Sequence, residues 1–262
     1  MMRRLQCALL AAVAIIGFAS IASAADMPVK AAAPVAQSYN WTGFYVGGNV
    51  GWVRQRDNGD STFVDVPGFG PYPRSVSASG SSVIGGLQAG YNWQINQWVL
   101  GIEGDWDWTN PKTSTCRNTD AGPDCSDAGR GFVTLESKTS WIATLRGRLG
   151  LAWDRYLVYG TGGVAMGKVD SSINVNCLVN GCAVSSAQQN VTGSFSNTKT
   201  GWVAGAGIEA MLMAHWTARV EYLRVDLGTV SNTLLLPISA QSVSWSRKVT
   251  EDIVRVGVNY KF

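Results

Sequence analysis

Apolar and polar residues alternate with a period of two in eight separate runs between Thr42 and Phe262. The first, TGFYVGGNVGW, sets Phe44, Val46, Val50 and Trp52 on one face and Tyr45, Gly47, Asn49 and Gly51 on the other. A helix, with its period of 3.6, would scatter both sets, so the pattern predicts strands. The second sets Val83, Leu87, Ala89, Tyr91 and Trp93 against Ile84, Gln88 and Asn92; the third sets Trp98, Leu100, Ile102, Trp106 and Trp108 against Glu103, Asp105 and Asp107. In the fourth, Leu135, Trp141, Ala143, Leu145 and Leu149 oppose Glu136, Lys138, Arg146 and Arg148. The fifth, near 156–169, is rich in glycine and has no clear face. The sixth sets Trp202, Ala204, Ala206 and Ile208 against Val203 and Glu209, and the seventh Trp216, Ala218, Val220 and Tyr222 against Arg219 and Glu221. The last places Val254, Val256, Val258, Tyr260 and Phe262 opposite Arg255, Asn259 and Lys261.

The connections sort by length. Those after runs two, four and six span a few residues, whereas those near 53–79, 109–133, 170–197 and 228–248 are long and polar. This is the signature of an all-β, eight-stranded antiparallel up-and-down transmembrane barrel, with short periplasmic turns and four longer extracellular loops. The alternative is a soluble sandwich, which has no reason to collect its long loops at one end. Tryptophan supports the barrel, because Trp41, Trp93, Trp98, Trp153 and Trp216 flank the short-turn end and Trp52, Trp106, Trp108, Trp141 and Trp202 the long-loop end. Two such bands form interfacial girdles. The apolar series then faces lipid. Glu103, Asp105, Lys138, Arg146, Arg148, Glu209, Arg219, Glu221 and Arg255 form a charge network in the lumen, where both signs are available for pairing.

Composition adds limits. Charged residues are only 15% of the chain, and a net charge of +3 without a basic block gives no reason to expect a nucleic-acid partner. Residues 1–25 read as an export signal, with Arg3 and Arg4 before an apolar stretch and small residues near Ala24 and Ala25. Residues 26–40 read as a flexible periplasmic leader rich in Ala and Pro, and 41–262 as the barrel domain. Four cysteines follow the signal, and their spacing favours two local disulfides, Cys116 with Cys125 and Cys177 with Cys182. A four-thiolate zinc site is the alternative, although neither pair has the usual knuckle spacing.

The stretches NWTGFYVGGNVGW at Asn40–Trp52, GGLQAGYNW at Gly85–Trp93, LGIEGDW at Leu100–Trp106, YGTGGVA at Tyr159–Ala165, GWVAGAGIE at Gly201–Glu209, VEYL at Val220–Leu223 and the terminal VGVNYKF resemble the small major outer-membrane proteins of α-proteobacteria. That group includes surface antigens and hemin-binding proteins and shares the eight-stranded barrel of the opacity proteins and the OmpA membrane domain. The resemblance implies that Val256, Val258, Tyr260 and Phe262 form the signal read by the outer-membrane assembly machinery. It also raises hemin capture, for which Tyr72 in PGFGPYPRS is the one candidate ligand in the loops. No G-x-S-x-G or H-E-x-x-H motif is present, and the sole histidine, His215, falls in a periplasmic turn, so no catalytic residue and no resident cofactor or metal is expected. Asp105 and Asp107 are the nearest thing to a carboxylate pair at the rim. The expectation is a monomeric outer-membrane barrel, seated in lipid, that anchors exposed loops, supports envelope integrity and offers those loops to host or envelope partners. A narrow porin-like channel and small-ligand binding are the alternatives.

Overall fold

A computed structural model describes residues 39–64, 72–118, 132–177, 189–236 and 241–262. The signal and most of the leader lie outside these residues. The strands are β1 (Gly43–Val64), β2 (Tyr72–Ile95), β3 (Trp98–Thr109), β4 (Lys112–Asn118), β5 (Phe132–Trp153), β6 (Tyr156–Cys177), β7 (Gln189–Met213), β8 (Trp216–Leu236) and β9 (Gln241–Lys261). Every pairing is antiparallel. The terminal strand β9 pairs with β1, and β3 pairs with β5, so the sheet closes on itself. The nine strands make eight staves, because β3 and β4 run along β5 in succession, Trp108 opposite Trp141 and Lys112 opposite Lys138. The break falls at Asn110–Pro111, where proline has no N–H for the ladder. At the other end of the barrel, β2–β3 and β5–β6 turn through Asn96 and Asp154, which take positive φ, a conformation these two residue types tolerate.

Outward positions form a continuous apolar belt. On β9 it runs from Phe262 to Val254, and on the other staves it ends at Trp52, Val83, Trp108, Trp141, Met166, Trp202 and Tyr222. Those nine residues of β9 give about 30 Å of strand, or about 23 Å of height at a tilt of about 40°, which matches the apolar band of an outer-membrane barrel. The next outward positions include Arg54, Ser81, Lys168, Thr200, Arg224 and Asp252. The girdles stand as expected with one correction. Trp41 is 1% exposed and plugs the barrel mouth beside Tyr39, Val99, Leu157 and Tyr159, held there by its backbone N–H donating to Gln94 Oε1 at 2.7 Å.

Most of the predicted long connections are strand. β1 is 22 residues long, β2 24 and β7 25, at least twice the roughly 9–11 residues that a membrane crossing needs. The barrel wall therefore continues beyond the belt. Its interior there holds two apolar layers, Val53, Ile84, Ile142, Val203, Leu223 and Ile253 in one and Val133, Leu135, Ile173, Val175 and Trp245 in another further out, with the buried polar residues Gln55, Asp57, Thr113, Thr139 and Glu251 besides. The expected assignment of Leu135 and Lys138 is reversed. A bulge between Thr139 and Trp141 inserts one residue into β5, which moves Leu135 inside and turns Lys138 outward toward Asp170, 4.0 Å away. Periodicity alone cannot report such an insertion.

Candidate functional site

The lumen within the belt is the densest polar feature among the described residues. Five carboxylates (Glu103, Asp105, Asp107, Glu209, Glu221) and four guanidiniums (Arg146, Arg148, Arg219, Arg255) are buried there. Each reaches inward because its strand turns the alternate, apolar residues to the belt. Glu103 sits at the centre. One of its oxygens accepts from Arg146, and the other from Arg219 and from the Tyr45 hydroxyl at 2.6 Å. Arg146 also holds Asp105 at 2.7 Å and Glu221 at 3.1 Å. Arg255 binds Glu221 at 2.7 Å and Asp107 at 2.7 Å, so a single guanidinium joins β8 to β3 across the barrel. Toward the periplasm, Arg148 binds Glu209 at 2.7 Å and stacks over the Tyr159 ring at 4.0 Å. Thr217 and Asn259 complete Glu209 at 2.6 and 2.9 Å.

All eight staves contribute, from Tyr45 on β1 and Gln88 on β2 to Tyr159 on β6 and Glu209 on β7. Space for the long side chains comes from inward glycines. A Cβ at Gly101 would lie 2.8 Å from Arg148 Cγ, and one at Gly90 would collide with the Tyr45 hydroxyl. Ion pairs this deep are favourable only when their remaining donors and acceptors are also met, and the hydroxyls and amides of Thr144, Thr217, Gln88 and Asn259 do much of this. The apolar layer from Val53 to Ile253 then caps the network on the outer side.

Alternation along the strands puts nine charges in this lumen. Eight are there, and Lys138 is the exception for the reason given above. That charged set omits Tyr45, Tyr159, Gln88 and Asn259, which are members too. Tyr45, Gln88 and Asn259 carried a usable signal, since each lies on the polar face of its run. Tyr159 did not, because the glycines of its run hid the alternation. Asp107, noted at the rim, belongs to the network through Arg255. Cys116 is disulfide-bonded, while the side chains of Cys125, Cys177 and Cys182 lie outside the described ones. The Tyr72 side chain is also outside them. His215 is exposed in the turn before β8, its Nδ1 2.9 Å from the Lys261 carbonyl. Val256, Val258 and Phe262 face outward from the belt.

Comparison with known proteins agrees with this geometry. Residues 11–262 match the family described as "Outer membrane protein beta-barrel domain". The chain is 36% identical over 257 residues to the 31 kDa outer-membrane immunogenic protein of Brucella melitensis, covering 94% of this chain and 95% of that one. It is 30% identical over 268 residues to the 25 kDa outer-membrane immunogenic protein of Brucella abortus, covering 100% of both. Among solved structures it is distantly similar to Ail, the attachment invasion locus protein of Yersinia pestis, at 13% identity and a TM-score of 0.34 over 84% of this chain and 99% of that one. With a closed barrel, an apolar belt and full-length relatives from the same compartment, this chain belongs to the outer-membrane β-barrel family of Gram-negative bacteria.

Proposed function

We propose that the protein is a sealed structural barrel, which carries an ordered β-rim above the membrane and joins it firmly to the outer membrane. The observation behind this is the filled lumen. Arg146, Arg255, Glu103 and Glu221 are almost fully buried at the level of the belt, and Ile84, Ile142, Leu223 and Ile253 close it above. Eight staves leave room for side chains and little else, whereas water-filled porins use 16 or more. A catalytic role for Asp105 and Asp107 fits poorly, because both carboxylates are bound to Arg255 inside the closed lumen. Within the belt every strand is paired on both sides, which leaves no sheet edge there for a second chain and supports a monomer. The name of the Brucella relatives, immunogenic proteins, fits a rim presented at the cell surface. The outward series of Val256, Val258, Tyr260 and Phe262 suits recognition by the assembly machinery before closure.

Planar-bilayer recording of the folded protein tests the seal. The expected result is no reproducible conductance step. Steps that persist at fixed size, and change when Arg148 is replaced by Ala, would overturn the reading in favour of a narrow channel.

A further inference from the structure

The outer wall of β8, β9 and β1 differs from the rest of the belt. Register stacks its outward residues in rows: Ala218, Val258 and Gly48; then Val220, Val256 and Val50; then Tyr222, Val254 and Trp52; then Arg224, Asp252 and Arg54. The small residues Gly48 and Ala218 lie in an apolar furrow of about 750 Å³ that Val50, Val220, Val256 and Val258 also line. Above it, beyond the row of Tyr222, Val254 and Trp52, stands a cationic cluster. Asp252 is bound by Arg56 on one oxygen and on the other by Arg224, at 2.6 Å, and by the Tyr222 hydroxyl, at 2.7 Å. Arg54 is exposed beside them and has no hydrogen bond or ion pair among the described residues. Two guanidiniums thus share one carboxylate, and a third stands unpaired beside them. Burial alone would raise the Asp252 carboxyl, but hydrogen bonds from Arg224 and Tyr222 hold it below the usual carboxylate range, so it stays charged and fixes the two arginines.

We propose that this wall binds one phosphate-bearing lipid of the outer leaflet, its phosphate held by Arg54, Arg56 and Arg224 and an acyl chain lying in the furrow over Gly48. Arginine suits the task because its planar fork pairs two N–H groups with phosphate oxygens. The depth agrees as well. Gly48 lies four residues below Trp52, the top of the belt on β1, which is about 13 Å of strand or about 10 Å of height after tilt and falls near the middle of the belt of about 23 Å. One leaflet's chain therefore ends where the furrow does. The cations of two other charged groups on the outer wall, Lys138 and Lys168 around Asp170 and Lys248 beside Asp226, are lysines, which bind phosphate as point charges without the paired fork.

Native mass spectrometry of the folded protein, released from detergent micelles carrying diphosphorylated lipid A, reads this directly. The expected result is one retained lipid, bound at least tenfold more weakly when both of its phosphates have been removed. The triple substitution Arg54→Gln, Arg56→Gln, Arg224→Gln should give the same tenfold loss. Gly48→Leu should weaken retention severalfold by filling the furrow; a Cβ there meets only the Gly86 carbonyl at 3.6 Å, an ordinary contact, so the barrel tolerates it. Inorganic phosphate at millimolar concentration should not displace the lipid. Equal retention of the phosphate-free lipid, an unchanged triple variant, or full displacement by phosphate would each overturn the proposal. If the triple variant loses its heat-modifiable migration, Arg54→Gln alone, which breaks no ion pair, and the phosphate-free lipid on the unaltered protein decide the matter.

Discussion

The lower and upper halves of this barrel are built from the same strands with opposite polarity. Below the Trp52–Tyr222–Val254 row, the wall is apolar outside and ionic inside; above it, Arg54, Arg224 and Asp252 face out while Val53, Leu223 and Ile253 face in. The upper half thus has the polarity of a water-soluble protein, stabilised by burying apolar side chains, with one polar group of Gln55, Asp57, Thr139 and Glu251 enclosed between its apolar layers. The lower half cannot use that effect, because its surroundings are as apolar as its outer residues, so its interior holds together through charge pairing and hydrogen bonds. The exchange happens within one or two residues on β1 and β9 without any shift in alternation, and on β8 a register shift follows it between Asp226 and Thr229. On β5 it is accompanied by the bulge at Thr139.

The contrast is most exposed to a break in the lower half. Arg146→Ala leaves Glu103, Asp105 and Glu221 without their shared cation, a loss of about 3–5 kcal/mol for a buried ion-pair group. The urea concentration that abolishes heat-modifiable migration should fall sharply, and a midpoint within error of the parent would mean the network is not what holds that half. In the upper half, Ile142→Ala opens a cavity in the apolar layer and should destabilise by about 3 kcal/mol on the same assay. A negligible effect there would show that the extension is not a packed core.

A third experiment sharpens the boundary itself. Glu251 is fully buried beyond Val254, the last membrane-spanning residue of β9, and pairs in register with Gln55 and Val225. Burial pushes its carboxyl up to about 7; the Thr139 hydroxyl pulls it down without reaching hydrogen-bond geometry, and the Asp57 carboxylate pushes it further up. A raised carboxyl favours folding while protonated. That contribution is fully present below the unfolded value near 4.3 and is lost as pH rises through about 7. Glu251→Gln should therefore match the parent near pH 4 and exceed it by about 3 kcal/mol at pH 8. A stability difference between the two that does not change with pH would remove Glu251 from this role. The smallest effect belongs to Lys138→Ala, within about 0.5 kcal/mol for a solvated side chain. A loss of several kcal/mol would put Lys138 back in the lumen and remove the bulge.

Legibility in the sequence followed the strength of the alternation. Runs such as 98–108 and 216–222 gave strand, face and lumen membership together, so Glu103, Asp105, Arg219 and Glu221 were readable one by one. Run 156–169 gave a strand but not the inward Tyr159, since glycine carries no side chain to mark a face. The extension escaped because Ser, Thr, Asn and Gly composition reads as loop. In β6 and β7 those residues are outward positions of a solvated wall, and the few inward anchors, Ile173, Val175, Val191 and Phe195, are too sparse to show a period.

The strand period, the order of hairpins, the lipid-facing series and the mixed signs of the interior are all readable along the chain, because they follow from alternation between adjacent residues. The pairing of Arg255 with Asp107, the burial of Trp41 in the mouth, the outward turn of Lys138 and the meeting of Arg54, Arg56 and Arg224 around Asp252 were decided only by the closed barrel. Each depends on the stagger between strands far apart in the chain, and one inserted residue on one strand is enough to change it.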